Sequence, residues 1–317
     1  MTFGSFVRRR MLQGIVTALV LTLVIHAGVT IAPGDPVRAL FGFVAPPPDE
    51  LAALRERFGL DQPYPIQYIA YLRELLTGNL GQTISFVPQP VSRLVGTALP
   101  VTAGLATLAV ALQLGFGYAV AVVTSLRRLR FASGATWWLA IVATATPIIV
   151  SAFVLRSWFT VGYQGFGWFP FRYDGTVGSY VLPLVALVAM ILGPIVLLLR
   201  SEMLSALRST FSRFAKASGH TDRRIVAVHA SKAAAGPAVA YVAANLGYLI
   251  TGVVIVESVF GIPGIGSLIL DSIARRDRAV VVGSVLVLGV VIIIMNAVAD
   301  IVVAWLDPRL RAERPAS

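Results

Sequence analysis

Long runs almost free of charge divide the chain, at roughly 11–32, 98–126, 134–158, 179–199, 236–257 and 279–305. Helix rises about 1.5 Å per residue, so about 20 residues cross a hydrocarbon core of about 30 Å. An open chain can satisfy its backbone there only as helix. The expected fold class is therefore an all-α membrane protein with six transmembrane helices and one membrane domain over residues 1–317. The first run follows Arg8-Arg9-Arg10. It exceeds the about 7–15 apolar residues of a secretory leader, so an uncleaved span is expected. Only 13% of the residues are charged, against about 25% in soluble domains.

A net charge of +11 would by itself suggest nucleic acid or a membrane surface as partner. The distribution decides between them. With the N-terminus in the cytoplasm, the inside segments 1–10, 127–133, 200–235 and 306–317 carry 16 basic and four acidic residues, a balance of +12. The outside segments 33–97, 159–178 and 258–278 carry nine of each. This asymmetry predicts both termini inside and reads the basicity as a topology signal, not a nucleic-acid footprint.

The region 33–97 opens on a turn, Pro33-Gly34-Asp35-Pro36. A short helix follows with Leu51, Leu54 and Phe58 on one face and Gly59 as its stop. A second is expected over 66–77, with Ile69, Leu72 and Leu76 on one face and Gly78 closing it. Both are too short to span and are expected to lie against the outer ends of the bundle. Pro183 and Gly193-Pro194 predict a kinked fourth span.

Familiar catalytic patterns are absent from the sequence. Its two lysines, Lys216 and Lys232, follow Ala215 and Ser231, so no Gly-Lys-Ser/Thr phosphate loop exists. The segment 261–266, GIPGIG, lacks the dinucleotide order of glycines, and the three histidines show no zinc-protease spacing. There is no cysteine for a disulfide, thiolate metal site or nucleophile. No catalytic residue, metal site or cofactor is assigned. Arg156 and Glu257 lie near outer span ends, and Asp300, a turn after Asn296, near an inner one. Each is within snorkelling or pairing reach of an interface. His26 lies deeper and is read first as a packing residue, with a proton relay as the alternative.

The segment 200–235 is the longest and most basic of the inside segments. Ser209 or Thr210 can cap a short helix presenting Phe211, Phe214 and Ala215, ended by Gly219. Thr221 or Asp222 can cap a second short helix grouping Ile225, Val228 and His229. Such helices can lie on anionic lipid through Arg and Lys, or dock on a partner. The outline also fits a helix-turn-helix reader.

Gly219, His229 ten positions on and Pro237 eight further resemble the cytoplasmic loop of ABC importer permeases of the dipeptide/oligopeptide/nickel branch. So do PGDPV at 33–37, GLDQPYPIQY at 59–68, GNLG at 78–81, VESVFGIPGIG at 256–266, RRD at 275–277, Asn296 with Asp300, and DPRLR at 307–311. The chain departs from the pattern at Asn79, where an acid is common, and at Lys232-Ala233, where the family tends to Arg-Asn. The resemblance implies a type I permease subunit, not itself an enzyme, in the bacterial inner membrane. Its implied partners are a second homologous permease, two cytoplasmic ATPase subunits that bind the ATP and Mg²⁺, and an external binding protein. ATPase docking would fall to Phe211, Phe214, Ala215, Gly219, Arg223, Arg224 and His229. The external gate region would be Pro33, Gly34, Asp35, Pro36, Phe260, Pro263, Gly264 and Gly266. Peptide is the substrate expected first, with nickel or another small solute as the alternative. An ion-coupled secondary transporter would instead show midplane acids and an inverted repeat.

Overall fold

The computed structural model describes residues 3–31, 35–41, 46–126, 134, 137–138, 141–142, 144–161 and 166–306. Among these the structure is helical, with two isolated bridges, Gln82 to Pro90 and Thr160 to Phe169, and no strand. The expected Pro33, Gly34 and Asp307–Arg311 lie outside the described residues, as do the side chains of Pro36 and Asp300.

Four helical stretches are long and apolar enough to span: Val91–Ser125, Val177–Arg208, Ile225–Ala244 and Arg278–Ala299. The pair Leu246–Phe260 and Ile265–Ala274 makes a fifth if counted as one broken span. The other two expected spans are represented among the described residues by shorter apolar stretches, Leu12–Gly28 and Ile148–Phe159. The expected span 236–257 is not one helix. It breaks at Asn245, whose side chain turns back to donate to the Tyr241 carbonyl at 2.8 Å.

The chain divides into two compact units. The first comprises residues 1–102 and 263–293. Here α1 (Phe3–Ile31) is followed by α2 (Pro36–Ala39), α3 (Pro48–Arg57) and α4 (Tyr64–Leu76). Helices α3 and α4 end as the sequence predicts, at Gly59 and Gly78. In each, two backbone N–H groups just past the helix bond back to orphan carbonyls: Gly59 to Glu56 and Leu60 to Arg55, then Gly78 to Leu75 and Asn79 to Glu74. The face of α3 with Leu51, Leu54 and Phe58 is the less exposed one, as expected.

Of the face expected for α4 only Leu72 is half-buried, and the other two residues are exposed. Ile69 is 58% and Leu76 89% exposed. Tyr64, Tyr68 and Tyr71 turn inward instead, placing their rings 5.2, 5.5 and 5.8 Å from that of His26 on α1. Tyr68 also hydrogen-bonds Thr22 at 3.0 Å. A tyrosine stripe covers more area than the aliphatic one and gives α1's polar groups partners, so it wins the protein-facing side. His26 is thus packed among aromatics.

The second unit, residues 103–262 and 294–317, is built round Val177–Arg208, a continuous helix that runs past the expected end at 199. Its Ile195, Leu199 and Met203 pack with Ala121, Val226, Ala230, Ala234 and Ala238 in one buried cluster. Small residues on the partner helix allow the close approach that membrane helices use in place of a hydrophobic drive. Buried Gln113 ties into this helix by donating to the Leu187 carbonyl at 2.8 Å.

Candidate functional site

The basic loop begins where the helix Val177–Arg208 stops at Ser209, whose backbone is extended (φ −66°, ψ 157°). Ser209 Oγ accepts from the Ser212 N–H and caps the short helix Thr210–Ala217, so of the two caps the sequence offers, Ser209 and Thr210, it is the first that serves. Ser212 Oγ donates to the Ala206 carbonyl at 2.7 Å, locking that turn to the preceding helix.

The short helix has two sharply different faces. Ser212 and Ala215 are buried, while Phe211 is 55% and Phe214 72% exposed. The expected grouping of Phe211, Phe214 and Ala215 is therefore split. A helix only two turns long rests on its small residues and leaves its large rings on the exposed side.

Gly219 ends the helix with φ 85°. The Gly219 N–H bonds to Lys216 and the His220 N–H to Ala215, both at 3.0 Å. This glycine-dependent stop turns the chain sharply into the next helix.

That next element is not the short helix expected. Asp222–Arg224 leads into a π-helical turn, Ile225–Ala230, which continues as Ser231–Ala244. Thr221 Oγ1 accepts from the Arg224 N–H at 3.4 Å, and the side chain of Asp222 lies outside the described residues. The wide turn re-phases the side chains. Ile225, Val226 and Ala230 go inward and Val228 outward, so Ile225 and Val228 do not share a face. Single π turns of this kind recur at functional sites. His229 sits within it, its ring edge-on to Phe211 at 5.1 Å and 6.3 Å from the His220 ring. Arg223 and Arg224 are exposed. The structure thus gathers Phe211, His220 and His229, leaves Phe214 and the two arginines free, and buries Ala215.

In the first unit, Asp35 caps α2 by accepting from the Val37 N–H at 2.9 Å and also pairs with Arg55. Burial acts to raise its pKa, but the bonds from Arg55 and the two backbone N–H groups hold it below the usual carboxylate range. Of the expected gate residues in this unit, Pro263 is exposed while Gly264 and Gly266 are buried. The Ile265 N–H between them donates to Thr102 at 2.8 Å. Asp277 is a residue whose role the sequence does not signal. It receives the Ile84 N–H at 2.9 Å and that of Val280 at 3.3 Å, so it caps the last helix, Arg278–Leu306, and pins the segment around residue 84. Burial pushes its carboxyl pKa up.

In the second unit, Phe260 is buried, and its carbonyl accepts from the Tyr173 N–H at 3.1 Å. Arg156 donates to the Val259 carbonyl and lies 4.0 Å over the Phe171 ring. The C-terminal end of a helix favours such a cation. Glu257 is fully buried. Arg156 is a tether between elements, which fits the pairing expected of it.

Two family models match this chain. "Binding-protein-dependent transport system inner membrane component" covers residues 113–312, and the corresponding N-terminal model covers 3–102. The chain is 31% identical over 310 residues to the oligopeptide transport system permease protein OppB of Salmonella typhimurium, covering 97% of this chain and 99% of that one. It is 30% identical to OppB of Escherichia coli K12 over 310 residues, with the same coverage. A putative peptide permease protein of Brucella ovis is 30% identical over 313 residues, 95% of this chain and 97% of its own. The chain is a multi-pass inner-membrane protein and belongs to the binding-protein-dependent transport system inner membrane component family.

Proposed function

We propose that the chain is one permease subunit of an ATP-driven peptide importer, with both termini in the cytoplasm. It forms half of the translocation path beside a second, homologous permease, as a single membrane domain. The basic loop docks on cytoplasmic ATPase subunits through Phe211, Phe214, Gly219, Arg223, Arg224 and His229, with Ala215 as the seat of the short helix. Residues near 33–36 and 258–278 and the helices of 48–77 meet an external binding protein. The peptide assignment rests on the named function of full-length relatives.

The observation that carries the docking reading is the 72% exposure of Phe214 on a short helix whose other face is buried. Covering such a ring is worth about 1.5–3 kcal/mol, so it suits an anchor in a partner's groove. Held at Ser209 and Gly219, the short helix can transmit a partner's closure to the long helix Val177–Arg208. ATP hydrolysis belongs to the partner, because this sequence has no phosphate-binding loop. The test is reconstitution. The purified chain should not hydrolyse ATP, whereas the chain with its second permease, ATPases and binding protein should couple hydrolysis to peptide uptake in vesicles. Hydrolysis by the isolated, contaminant-free chain overturns the reading.

A further inference from the structure

A cavity of about 480 Å³ opens in the first unit between α1, α3, α4 and the start of the last helix. Helix α4 contributes Gln67, Ala70, Tyr71 and Glu74, one stripe at helical spacing. Charges of both signs line it: Arg57 and Arg278 against Glu56 and Glu74. The Asp35 carboxylate, already paired with Arg55, is the acid whose charge acts on Arg278, and the buried Tyr71 hydroxyl has no hydrogen-bond partner among the described residues. Burial, then Tyr68 and Glu74 nearby, push the Tyr71 phenol up to about 12. An orphaned buried hydroxyl is costly unless something else meets it.

The depth of the cavity indicates what that is. Arg278 is the first residue of its helix, and His26 lies five residues from the end of α1, or about 7.5 Å of rise. The last helix's apolar stretch begins at Arg278, and His26 stands two residues before the end of the other, Leu12–Gly28, so on the membrane-spanning reading the cavity lies nearer the headgroup level than the sequence suggests for His26. Beside the cavity stripe, α4 turns Ile66, Ile69 and Leu76 outward as an exposed aliphatic edge, suited to the upper acyl region. The aromatic cluster of Tyr64, Tyr68 and Tyr71 is the kind enriched at that boundary.

We propose that this cavity seats the zwitterionic phosphoethanolamine headgroup of a membrane phospholipid, its phosphate on Arg278 and Arg57 and its ammonium on Glu74 and Glu56. The Tyr71 hydroxyl donates to a phosphate oxygen. The acyl chains leave along the aliphatic edge of α4. A choline headgroup cannot donate hydrogen bonds to the glutamates, and a glycerol headgroup lacks the cation. The proposal rests on the membrane-spanning reading but not on which terminus is inside.

The test is native mass spectrometry of the full chain, purified with its partner permease in detergent and titrated with single lipids. Phosphatidylethanolamine should be retained at least ten-fold better than phosphatidylcholine or phosphatidylglycerol of the same chains. Arg278→Gln and Glu74→Gln should each remove that preference, and Tyr71→Phe should weaken it several-fold with partner association unchanged. Free phosphoethanolamine and inorganic phosphate, the soluble sources of the same chemistry, should not compete at millimolar concentration. Equal retention of the three lipids, retention unaffected by Arg278→Gln and Glu74→Gln, or displacement by phosphoethanolamine, phosphate or a tripeptide overturns the proposal. ATPase co-purification, scored on the same samples, reports separately on the transporter reading.

Discussion

The Phe211 ring stands edge-on to the His229 imidazole, 5.1 Å between centroids and 70° between planes. This pair joins the short helix of the basic loop to the π-helical turn, across the bend at Gly219. The contact therefore couples the two elements across that bend. Aromatic pairs of this geometry contribute about 0.5–1.5 kcal/mol beyond area burial. Phe211→Ala should loosen the bend without disturbing Phe214. The expected outcome is weakened ATPase binding together with hydrolysis less dependent on binding protein, measured in proteoliposomes.

Gly219 separates conformation from packing. A Cβ there would meet nothing within 4 Å, so a side chain has room, yet φ is +85°. Gly219→Val should cost about 1–3 kcal/mol of local strain and reduce ATPase co-purification. Gly219→Asn, larger but tolerant of the left-handed region, should restore most of it. Equal loss in both variants would show that bulk, not φ, matters. Charge reversal at Arg223 and Arg224 checks the lipid alternative. If the loop only lies on anionic lipid, each loses about 1 kcal/mol of surface attraction and the double reversal should be the most damaging variant.

Topology can be read by labelling, because the chain has no cysteine. Val87→Cys and Ser218→Cys both place thiols at exposed positions. An impermeant maleimide on intact cells should modify the first and spare the second until the membrane is opened. Modification of both from outside would contradict the orientation.

Asp277 predicts a pH dependence with a definite sign. Its folded carboxyl pKa is raised by burial, so the folded protein binds the proton more tightly than the unfolded chain does. The stabilisation that follows is complete below the unfolded value of about 3.9 and is lost as pH rises through the folded one. The thermal stability of the wild type relative to Asp277→Asn should therefore improve as pH falls from 7 toward 4. A difference that shrinks or stays flat over that range would contradict the assignment.

Helix ends were legible in the sequence because a glycine stop is a local device. Gly59, Gly78 and Gly219 all take positive φ where the pattern places them. The serine cap at Ser209 is legible for the same reason. Helix faces were less so. Hydropathy ranks Ile69 and Leu76 above the tyrosines of α4, but ring area and the partners on α1 decide the side. A period of 3.6 also cannot anticipate a π turn, which is why Ile225 and Val228 part company. The Asp277 bond to Ile84 joins positions 193 apart through a backbone N–H and leaves no side-chain signature. The cavity at Arg278 and Tyr71 has the same origin, gathered from four separate helices.

The most direct measurement of the docking account is a cross-link from the short helix. Arg213 is exposed between Phe211 and Phe214, and Arg213→Cys introduces the sole thiol of the chain. In the assembled transporter, a short thiol-to-amine reagent at this position should capture an ATPase subunit as the main adduct. Adding Phe214→Asp should cut that adduct at least ten-fold. No ATPase adduct, or an adduct undiminished by Phe214→Asp, would contradict the claim that this helix is the docking element.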